Sequence, residues 1–403
     1  MKIALMGFGT VGTGVEEILY KKKDNLLKNN FDIKIEKVLI KNVNKKRNPW
    51  NKDLIFTDNF DEILNSDVDA VIDATSSVDE TYNRIISLMK SGKNIITANK
   101  AVVSKHFEEL NELAKENDIY FSYEASVAAA IPIIHPITEE LPFNKIKEIC
   151  GILNGTSNYI LSKMEKENLD YKEVLKEAQA LGYAESDPTA DVDGLDSMRK
   201  IRILSSLFYN AQINEEEIFT FGISNIKKSD LDFIKKEGYF IRLIAKSKLI
   251  DDKINIFVMP TLLNDDFFTK TFDSTNAIKV LGDNFGEYEL KGAGAGKLET
   301  ADAIMRDLLR ILSKREIKTF YNNENNFDVS KKFTGKYYIR TSEISDILKD
   351  IIAKDNLIEK DHHIITKEVS LFQISEIVKN YTEEIFIARV EEIWNFYLQG
   401  IQI

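Results

Sequence analysis

The feature that most constrains the fold of this chain is its N-terminal stretch, MKIALMGFGTVGTGVEEIL. Apolar residues 3–6 predict a buried strand, and glycines at positions 7, 9 and 12 follow it before an apolar-periodic helix. This order is typical of a dinucleotide-binding turn, where the backbone and a helix N-terminus meet a pyrophosphate. The alternative is a glycine-rich turn without a ligand. We predict a dinucleotide site at these residues: Gly7, Phe8, Gly9, Thr10, Val11 and Gly12.

Strand and helix patterns alternate along the residues that follow. The patterns predict strands at 33–40, 69–75, 94–100 and 118–125, and helices near 78–90 and 106–116. This alternation predicts an α/β fold with an N-terminal Rossmann-type parallel sheet domain, residues 1–140, to which a helix at 297–318 returns. Ligands of such sheets bind beyond the carboxyl ends of the strands, so we expect Thr75, Ser76 and Lys100 at the cofactor site.

A different pattern begins near residue 145. The patterns predict a strand at 145–153, helices near 156–167, 171–181 and 195–210, and long antiparallel strands at 239–250 and 253–260. They indicate an α+β domain over residues 141–296, which we expect to bind substrate and to dimerise. It ends in the glycine loop GAGAG, where we place Gly296 among the cofactor-binding residues. A polar linker is predicted at 322–328 and a small βαββαβ domain at 330–403.

Composition narrows the class of protein and its surroundings. With 403 residues the chain is long enough for two or three domains. Its formal net charge of -11 argues against non-specific binding to nucleic acid or to membranes. The single cysteine, Cys150, suits a reducing compartment, and no stretch offers the ~20 apolar residues of a membrane span. We therefore expect a cytoplasmic protein.

The loop GYAESDPTADVDGLDSMRK, residues 182–200, carries five carboxylates ahead of a lysine. It is either a solvated acidic loop or a pocket for a small cationic or zwitterionic substrate. Asp196 and Lys200 stand at i and i+4 and share one helix face, so their simplest interpretation is an exposed salt bridge of ~0.3–0.5 kcal/mol. For Asp187 and Asp193 we favour duties in turns and helix caps.

Taken together, these motifs resemble homoserine dehydrogenase. The resemblance runs from residue 1 to about 315 and is most specific in LNGTSNYIL, in ALGYAESDPTADVDGLDSMRK and in the phrase TANK. It implies the reversible NAD(P)H-dependent reduction of L-aspartate 4-semialdehyde to L-homoserine, a step in threonine and methionine biosynthesis. The C-terminal piece looks like the ACT regulatory domain of many members, and a homodimer or homotetramer is implied.

The resemblance also implies roles for single residues. Glu185 would take the substrate amino group and Asp191 would help to hold the network, while Asp196 and Lys200 would bracket the reacting oxygen. Gly182 and Tyr183 would line the same loop through their backbone. Lys100 lies beside the nicotinamide in the family. We favour Lys200 as the proton carrier and Lys100 as the group that orients the substrate oxygen, but the sequence leaves the choice between the two lysines open.

Two further ligands follow from the same comparison. The second strand is followed by LIKNVNKKR instead of an acidic residue, so Lys41 suits the 2′-phosphate of NADP, with NAD as the alternative. The segment YEASVAAAIPII corresponds to the part of the family that holds a monovalent cation such as Na⁺. Its expected ligands are the side chain of Glu124 and the carbonyls of Val127, Ala129 and Ile131.

Two departures from the family and two alternative functions stay open. Alanines stand at 129 and 130, where glycines are usual, and IRTSEISDIL lacks the Pro-Gly turn that usually follows the first ACT strand. The second departure puts effector binding in doubt. The alternatives are a related semialdehyde or oxo-acid reductase and a dinucleotide-binding sensor whose active site has decayed.

Overall fold

The computed structural model describes residues 1–264, 266–314, 329–330, 333–344, 346–358, 363–381 and 384–391. The predicted linker at 322–328 lies outside these residues. Numbered in chain order, the strands are β1 (Lys2–Met6), β2 (Lys34–Leu39), β3 (Phe56–Thr57), β4 (Ala70–Asp73), β5 (Asn94–Thr97), β6 (Phe121–Ser122), β7 (Ile146–Ile152), β8 (Phe219–Thr220), β9 (Phe240–Ile250), β10 (Lys253–Leu263), β11 (Thr275–Gly282), β12 (Gly286–Ala293), β13 (Val329–Ser330), β14 (Thr334–Thr341), β15 (Ile352–Ile358), β16 (His363–Thr366), β17 (Val369–Ser370) and β18 (Ile385–Val390).

Helices connect most of these strands. In chain order they are α1 (Thr10–Lys21), α2 (Lys23–Lys28), α3 (Asp61–Leu64), α4 (Asp79–Lys90), α5 (Lys100–Lys105), α6 (Phe107–Glu116), α7 (Ile134–Glu140), α8 (Gly155–Glu167), α9 (Tyr171–Ala180), α10 (Thr189–Val192), α11 (Leu195–Tyr209), α12 (Lys228–Lys236), α13 (Asp266–Thr269), α14 (Lys297–Leu312), α15 (Asp346–Ile351) and α16 (Leu371–Asn380). No described helix is both long and apolar enough to cross a membrane.

The chain divides into two compact units. Unit 1 holds Met1–Asn144, Arg202–Gln212 and the described part of Gly292–Asn326. Unit 2 holds Lys145–Ile201, Ile213–Lys291 and the described part of Phe327–Ile403. The return of α14 to the N-terminal unit follows from its packing, because a Cβ on Gly14 of α1 would lie 2.5 Å from the carbonyl oxygen of Lys297.

Unit 1 is built on a six-stranded parallel sheet in the order β3-β2-β1-β4-β5-β6. The apolar runs that predicted β1 and β4 are fully buried, as strands covered by helices on both faces must be. In this order the chain runs outward from β1 to β3 and then crosses back to β4, so the switch point lies between β1 and β4. That switch point is where doubly wound sheets bind their ligands, and it lies next to the glycine turn.

Unit 2 contains a mixed twelve-stranded sheet with the main path β12-β11-β7-β9-β10-β18-β14-β16-β15. The long hairpin of β9 and β10 was predicted and pairs antiparallel over its full length. The strands after residue 333 join the same sheet, because β18 pairs parallel with β10 through two residue pairs. The α/β class with a parallel sheet and a separate mixed sheet is therefore confirmed.

Several element boundaries differ from the predictions. The third predicted strand ends at Thr97, and Lys100 is the first residue of α5 instead of the last residue of a strand. Asn99 ends the strand pattern because its side chain caps α5, accepting the N–H of Val102 at 3.3 Å. The two-residue strands β3 and β8, and the pair β11 and β12, were not predicted.

Candidate active site

The turn between β1 and α1 has the geometry that a dinucleotide needs. Gly7 has a φ of +97°, and a Cβ there would lie 2.6 Å from the carbonyl oxygen of Ala74. A Cβ on Gly12 would lie 2.2 Å from the carbonyl oxygen of Gly7. Nothing lies within 4 Å of the corresponding position on Gly9, so a ligand can approach the backbone beside the N-terminus of α1. The other predicted residues of the turn are Phe8, Thr10 and Val11.

A buried carboxylate organises the carboxyl ends of β4 and β5. Asp73 accepts the N–H of Thr75 at 3.0 Å, the Thr75 hydroxyl at 2.6 Å and the Thr97 hydroxyl at 2.7 Å. Its burial raises the pKa of Asp73, and the hydroxyl donors oppose that rise. Asn99 donates to the carbonyls of Thr75 at 3.2 Å and Ser77 at 2.9 Å. Asp73, Thr97 and Asn99 were not predicted as site residues, although polar residues at two neighbouring strand ends are a usable signal.

The other predicted residues at this edge differ in exposure. Lys100 is partly buried in the first turn of α5, and Ser76 is exposed in the loop between β4 and α4. Thr75 is partly buried, held by Asp73. These three residues therefore follow adjacent strands of one sheet, as predicted. Lys100 is the first residue of α5.

Lys41 lies two residues beyond the end of β2 and is well exposed. Its Nζ is 3.7 Å from a carboxylate oxygen of Glu80, and both side chains face solvent. Arg47, from the same loop, donates to the backbone carbonyls of its own loop and lies over the ring of Phe56. Phe56 in turn packs edge-on against Phe8 of the glycine turn, with ring centroids 5.1 Å apart. The basic loop is thus joined to the turn through two aromatic rings.

Gly296 is the residue that precedes α14. Its φ of +145° is one that other L-residues rarely adopt. A Cβ there would lie 2.1 Å from a carboxylate oxygen of Glu299, which folds back over the first turn of the helix. A carboxylate at a helix N-terminus is favourable because it meets the positive end of the helix dipole.

In unit 2 one asparagine joins two of the predicted carboxylates. Asn154 caps α8 by accepting the N–H of Ser157 at 2.7 Å. Its side-chain amide donates to Asp191 at 2.7 Å and to Asp196 at 2.9 Å. The structure therefore brings Asp191 and Asp196 together at the start of α8. Asn154 lies within the motif LNGTSNYIL, and no role was predicted for it.

The predicted pair on α11 is buried. The Nζ of Lys200 lies 2.7 Å from a carboxylate oxygen of Asp196, and it also donates to the carbonyl of Leu153 at 2.6 Å. The side chains are only 7% and 4% exposed, which rules out the exposed salt bridge. Asn276 of β11 donates to the same Leu153 carbonyl at 3.0 Å. The backbone carbonyl just after β7 thus accepts hydrogen bonds from both Lys200 and Asn276.

The predicted loop residues lie at the surface. Glu185 and Gly182 are exposed, and Gly182 has a φ of +78° where α9 ends. Tyr183 is half-exposed and packs against Tyr159, with the two rings tilted and their centroids 4.7 Å apart. Its carbonyl accepts the Thr156 hydroxyl at 2.7 Å. The structure therefore holds this loop against α8 through Tyr183 and leaves the side chain of Glu185 exposed.

Of the two carboxylates predicted to serve turns and helix caps, Asp187 bonds within its own turn, whereas Asp193 bonds to a side chain 31 residues away. Asp187 accepts the N–H and the hydroxyl of Thr189 at 3.1 and 2.6 Å, and these hydrogen bonds lower the pKa of Asp187. Asp193 accepts the hydroxyl of Ser224 at 2.6 Å, next to Gly194 with a φ of +86°. Neither carboxylate belongs to the buried cluster.

The segment predicted to hold a monovalent cation lies after β6 in unit 1. The carboxylate of Glu124 is fully buried and accepts the N–H groups of Ile133 at 2.7 Å, Ile134 at 3.0 Å and His135 at 2.8 Å. The carbonyl of Ala129 accepts the guanidinium of Arg306 at 3.1 Å. Val127 and Ile131 are buried beside them.

The residues of unit 1 fit a dinucleotide. The observation that decides this is the open backbone at Gly9, with positions 7 and 12 closed to any side chain by neighbouring backbone. The strand order and the turn at the switch point agree with that ligand. When bound, a nicotinamide dinucleotide supplies or accepts a hydride, so the protein has to orient the substrate and handle one proton.

Comparisons with known proteins agree with this chemistry. The family model described as "Homoserine dehydrogenase" matches residues 132–309, and "Homoserine dehydrogenase, NAD binding domain" matches residues 7–124. A curated homoserine dehydrogenase of Bacillus subtilis is 40% identical over 322 residues, which cover 79% of this chain and 74% of that protein.

Solved structures give the same result over nearly the whole chain. The homoserine dehydrogenase of Thiobacillus denitrificans has a TM-score of 0.86 at 27% identity, covering 97% of this chain and 98% of that one. A hyperthermophilic archaeal homoserine dehydrogenase in complex with NADPH has a TM-score of 0.66 at 26% identity, covering 78% and 98%. This chain is therefore an NAD(P)-dependent oxidoreductase. It belongs to the homoserine dehydrogenase family.

Proposed function

We propose that the chain catalyses the reversible reduction of L-aspartate 4-semialdehyde to L-homoserine, with NADPH preferred over NADH. The observation that carries this is a largely buried cluster in unit 2. The Asn154 amide donates to Asp191 and Asp196. Lys200 donates to Asp196 and to the Leu153 carbonyl. A solvated acidic loop would leave these groups exposed. Family membership makes a related reductase or a decayed sensor the less favoured alternatives.

Lys200 is proposed to hold and deliver the proton at the substrate oxygen. Its Nζ donates to Asp196 and to the Leu153 carbonyl, so two acceptors fix where the ammonium group points. From this orientation the ammonium group is proposed to donate its proton to the reacting oxygen. Asp196 then acts as the partner that keeps the lysine oriented through both directions of the reaction.

Two carboxylates and a second lysine complete the proposed roles. Glu185 is exposed, so its carboxylate is accessible to the substrate ammonium group. Asp191 accepts from Asn154 and holds the loop to the start of α8. Gly182 and Tyr183 are proposed to line the loop through their backbone. Lys100, in the first turn of α5, is proposed to orient the substrate oxygen.

Preference for NADP rests on the loop after β2. The residues LIKNVNKKR include no acidic residue at the position that would bind a ribose 2′-hydroxyl, and the well-exposed Lys41 is suited to a 2′-phosphate. The NADPH complex of the archaeal relative supports the same cofactor.

Further proposals concern the C-terminal residues and the setting of the enzyme. The described strands and helices from β14 to β18 follow the order β-α-β-β-α-β, with β17 as a short addition, and the sheet order β18-β14-β16-β15 supports an ACT-like domain. A cytoplasmic location is supported by the single, buried cysteine. Assembly as a homodimer or homotetramer, without nucleic acid or membrane partners, is proposed from composition and from the family.

The decisive experiment is oxidation of L-homoserine with NADP⁺, followed at the absorbance of reduced nicotinamide beside other hydroxy amino acids. We expect turnover of L-homoserine alone, and a sharply raised KM for it in Glu185→Gln, which loses the charge opposite the ammonium group. Equal turnover of other hydroxy acids would favour the related reductase. Cofactor binding without any turnover would favour the sensor.

A further inference from the structure

Two neighbouring alanines after β6 have a strained backbone. Ala128 has a φ of +54° and Ala129 a φ of +37°, in the left-handed region that favours glycine. Both residues are buried, at 1% and 3% exposure. Strained residues of this kind persist only where surrounding contacts hold them, and they cluster at functional sites. This segment follows β6 at the carboxyl edge of the parallel sheet, the edge that binds ligands.

A guanidinium group holds the second of these residues. Arg306 of α14 donates from Nη2 to the carbonyl of Ala129 at 3.1 Å, and its Nη1 pairs with Asp302 one turn earlier on the same helix. The neighbouring N–H of Ala130 donates to the carbonyl of Ala293 at 3.1 Å. Residues 293 and 306 of the same unit therefore hold the left-handed segment through hydrogen bonds. Arg306 is the positive charge in contact with it.

The side chain of Glu124, which was expected to bind a cation, accepts hydrogen bonds from the backbone instead. Glu124 accepts three backbone N–H groups at the start of α7, and its Oε2 is 3.8 Å from the Nε2 of His135. That imidazole is bonded to Asp307 at 2.6 Å. A metal ion placed against the Ala129 carbonyl would stand next to the Arg306 guanidinium, and like charges at that range repel. The residues present do not fit the predicted site for Na⁺.

We propose that Arg306 is the built-in cation of this segment. Its guanidinium supplies, at the Ala129 carbonyl, the positive charge that a bound monovalent ion would supply, and it positions residues 127–131 without Na⁺ or K⁺. Arg306 is a positioning residue, because it acts on this backbone and is assigned no contact with substrate. The proposal rests on the proposed function, since its effect is read through turnover of L-homoserine.

The test compares cations at matched ionic strength. L-Homoserine oxidation is measured in tetramethylammonium chloride, in NaCl and in KCl. We expect wild-type kcat/KM to be the same in all three salts. Arg306→Ala removes a charged hydrogen bond, so its kcat/KM should fall about tenfold in tetramethylammonium. Added Na⁺, K⁺ or low guanidinium chloride should restore part of that loss.

Two variants separate positioning from folding. Arg306→Lys keeps the charge and should stay close to wild type and insensitive to the choice of salt. Arg310→Ala, one turn further along α14, removes a guanidinium that pairs with the exposed Glu139 and should leave the salt response and kcat/KM unchanged. The melting temperature of each variant reports folding separately.

Three results would overturn the proposal. The first is a wild-type enzyme that needs Na⁺ or K⁺ for turnover. The second is an Arg306→Ala variant with unchanged turnover in tetramethylammonium. The third is a folded Arg306→Lys variant as impaired as Arg306→Ala. A wild type inactive in every salt would instead count against the proposed function.

Discussion

At the scale of single residues, Asn154 shows how one side chain can serve both fold and site. In the sequence Asn154 precedes a helix pattern, and that position suits a residue that caps the helix. In the structure its amide nitrogen also reaches Asp196, 42 residues later in the chain. Two carboxylates drawn this close need a donor between them, because their charges repel. The second role exists only because α11 returns to the start of α8.

The role of Lys200 can be separated from that of Lys100 by substitution. Lys200→Ala should lower kcat on the order of 10²-fold, because the acid–base group is lost, with little change in NADPH affinity. Steady-state kinetics and cofactor titration measure the two quantities. Arg199→Ala, the neighbouring residue on α11, removes only a 4.0 Å contact with Glu215 and serves as the control. Near-full turnover of Lys200→Ala beside an inactive Lys100→Ala would reverse the assignment.

A second residue-scale prediction concerns the buried carboxyl of Asp307. Burial raises its pKa to about 6, while His135, bonded at 2.6 Å, opposes the rise. Because the folded protein holds this proton longer than the unfolded chain, the contribution to stability is full below the unfolded pKa of 3.8 and is lost as pH rises through 6. That loss amounts to at most about 3 kcal/mol.

Asp307→Asn keeps the shape of the side chain and does not titrate. Relative to wild type, its free energy of unfolding should therefore rise between pH 4 and pH 7. Urea unfolding of both proteins across this range measures the difference. A difference that stays constant with pH would contradict a raised pKa in the folded state.

At the scale of elements, the turn after β1 and the loop after β2 are expected to contact different parts of a dinucleotide. The turn is closed to side chains by its own backbone, which explains the glycines at 7 and 12. The loop is open and basic, and Arg47 and Phe56 join it to the turn. The turn therefore accounts for binding of a dinucleotide, and the loop is the part proposed to choose between NADP and NAD.

The cofactor preference can be tested at the end of β2. Lys41→Ala should weaken NADPH far more than NADH, because only NADPH carries the 2′-phosphate. Dissociation constants for both cofactors measure this. Lys34→Ala, an exposed lysine at the opposite end of the same strand, is the matched control and should affect neither. An equal loss for both cofactors in Lys41→Ala, or a wild type that prefers NADH, would contradict the proposal.

At the scale of the whole chain, buried charge joins the C-terminal strands to the rest of unit 2. Asp230 of α12 is fully buried and accepts the Arg340 Nε at 2.8 and 3.1 Å and the Tyr338 hydroxyl at 2.5 Å. Tyr338 is also bonded to His363 at 2.6 Å. Burial raises the pKa of Asp230, against the effect of Arg340. This network ties β14 and β16 to α12 within unit 2.

Breaking that network should be costly. Asp230→Ala leaves the Arg340 guanidinium buried beside a lost partner and should lower the free energy of unfolding by about 3–5 kcal/mol. Glu384→Gln removes a half-exposed carboxylate 3.5 Å from the same arginine and should cost less than about 1 kcal/mol. Denaturant unfolding of the two variants measures both. Equal losses in the free energy of unfolding would mean that the buried carboxylate of Asp230 contributes no more to stability than the exposed one of Glu384.

The response to threonine is a second property of the whole enzyme. The turn after β14 contains no Gly or Pro, and the carbonyl of Glu343 already accepts the Tyr381 hydroxyl. Ser345 of the same turn lies outside the described residues. We expect millimolar L-threonine to leave homoserine oxidation nearly unchanged, because an effector would find this backbone occupied. Strong inhibition in the same assay would contradict the prediction.

The sequence alone determined the features that are local in the chain. The glycine turn, the alternation of strands and helices and the turn held by Asp187 depend on neighbours within a few residues. Such interactions leave a pattern in the sequence because the residues that interact are close along the chain. The family resemblance is of the same kind, since it rests on uninterrupted motifs.

Only the tertiary structure decided the features that join distant segments. The burial of Lys200 depends on β7 and α11 meeting, and the charge beside Ala129 comes from Arg306, 177 residues later. The organising role of Asp73 likewise depends on β5 lying beside β4. A sequence pattern reports which residues can be buried or charged. Which of them share a hydrogen bond is decided by chain packing, and packing brings together residues that no local spacing relates.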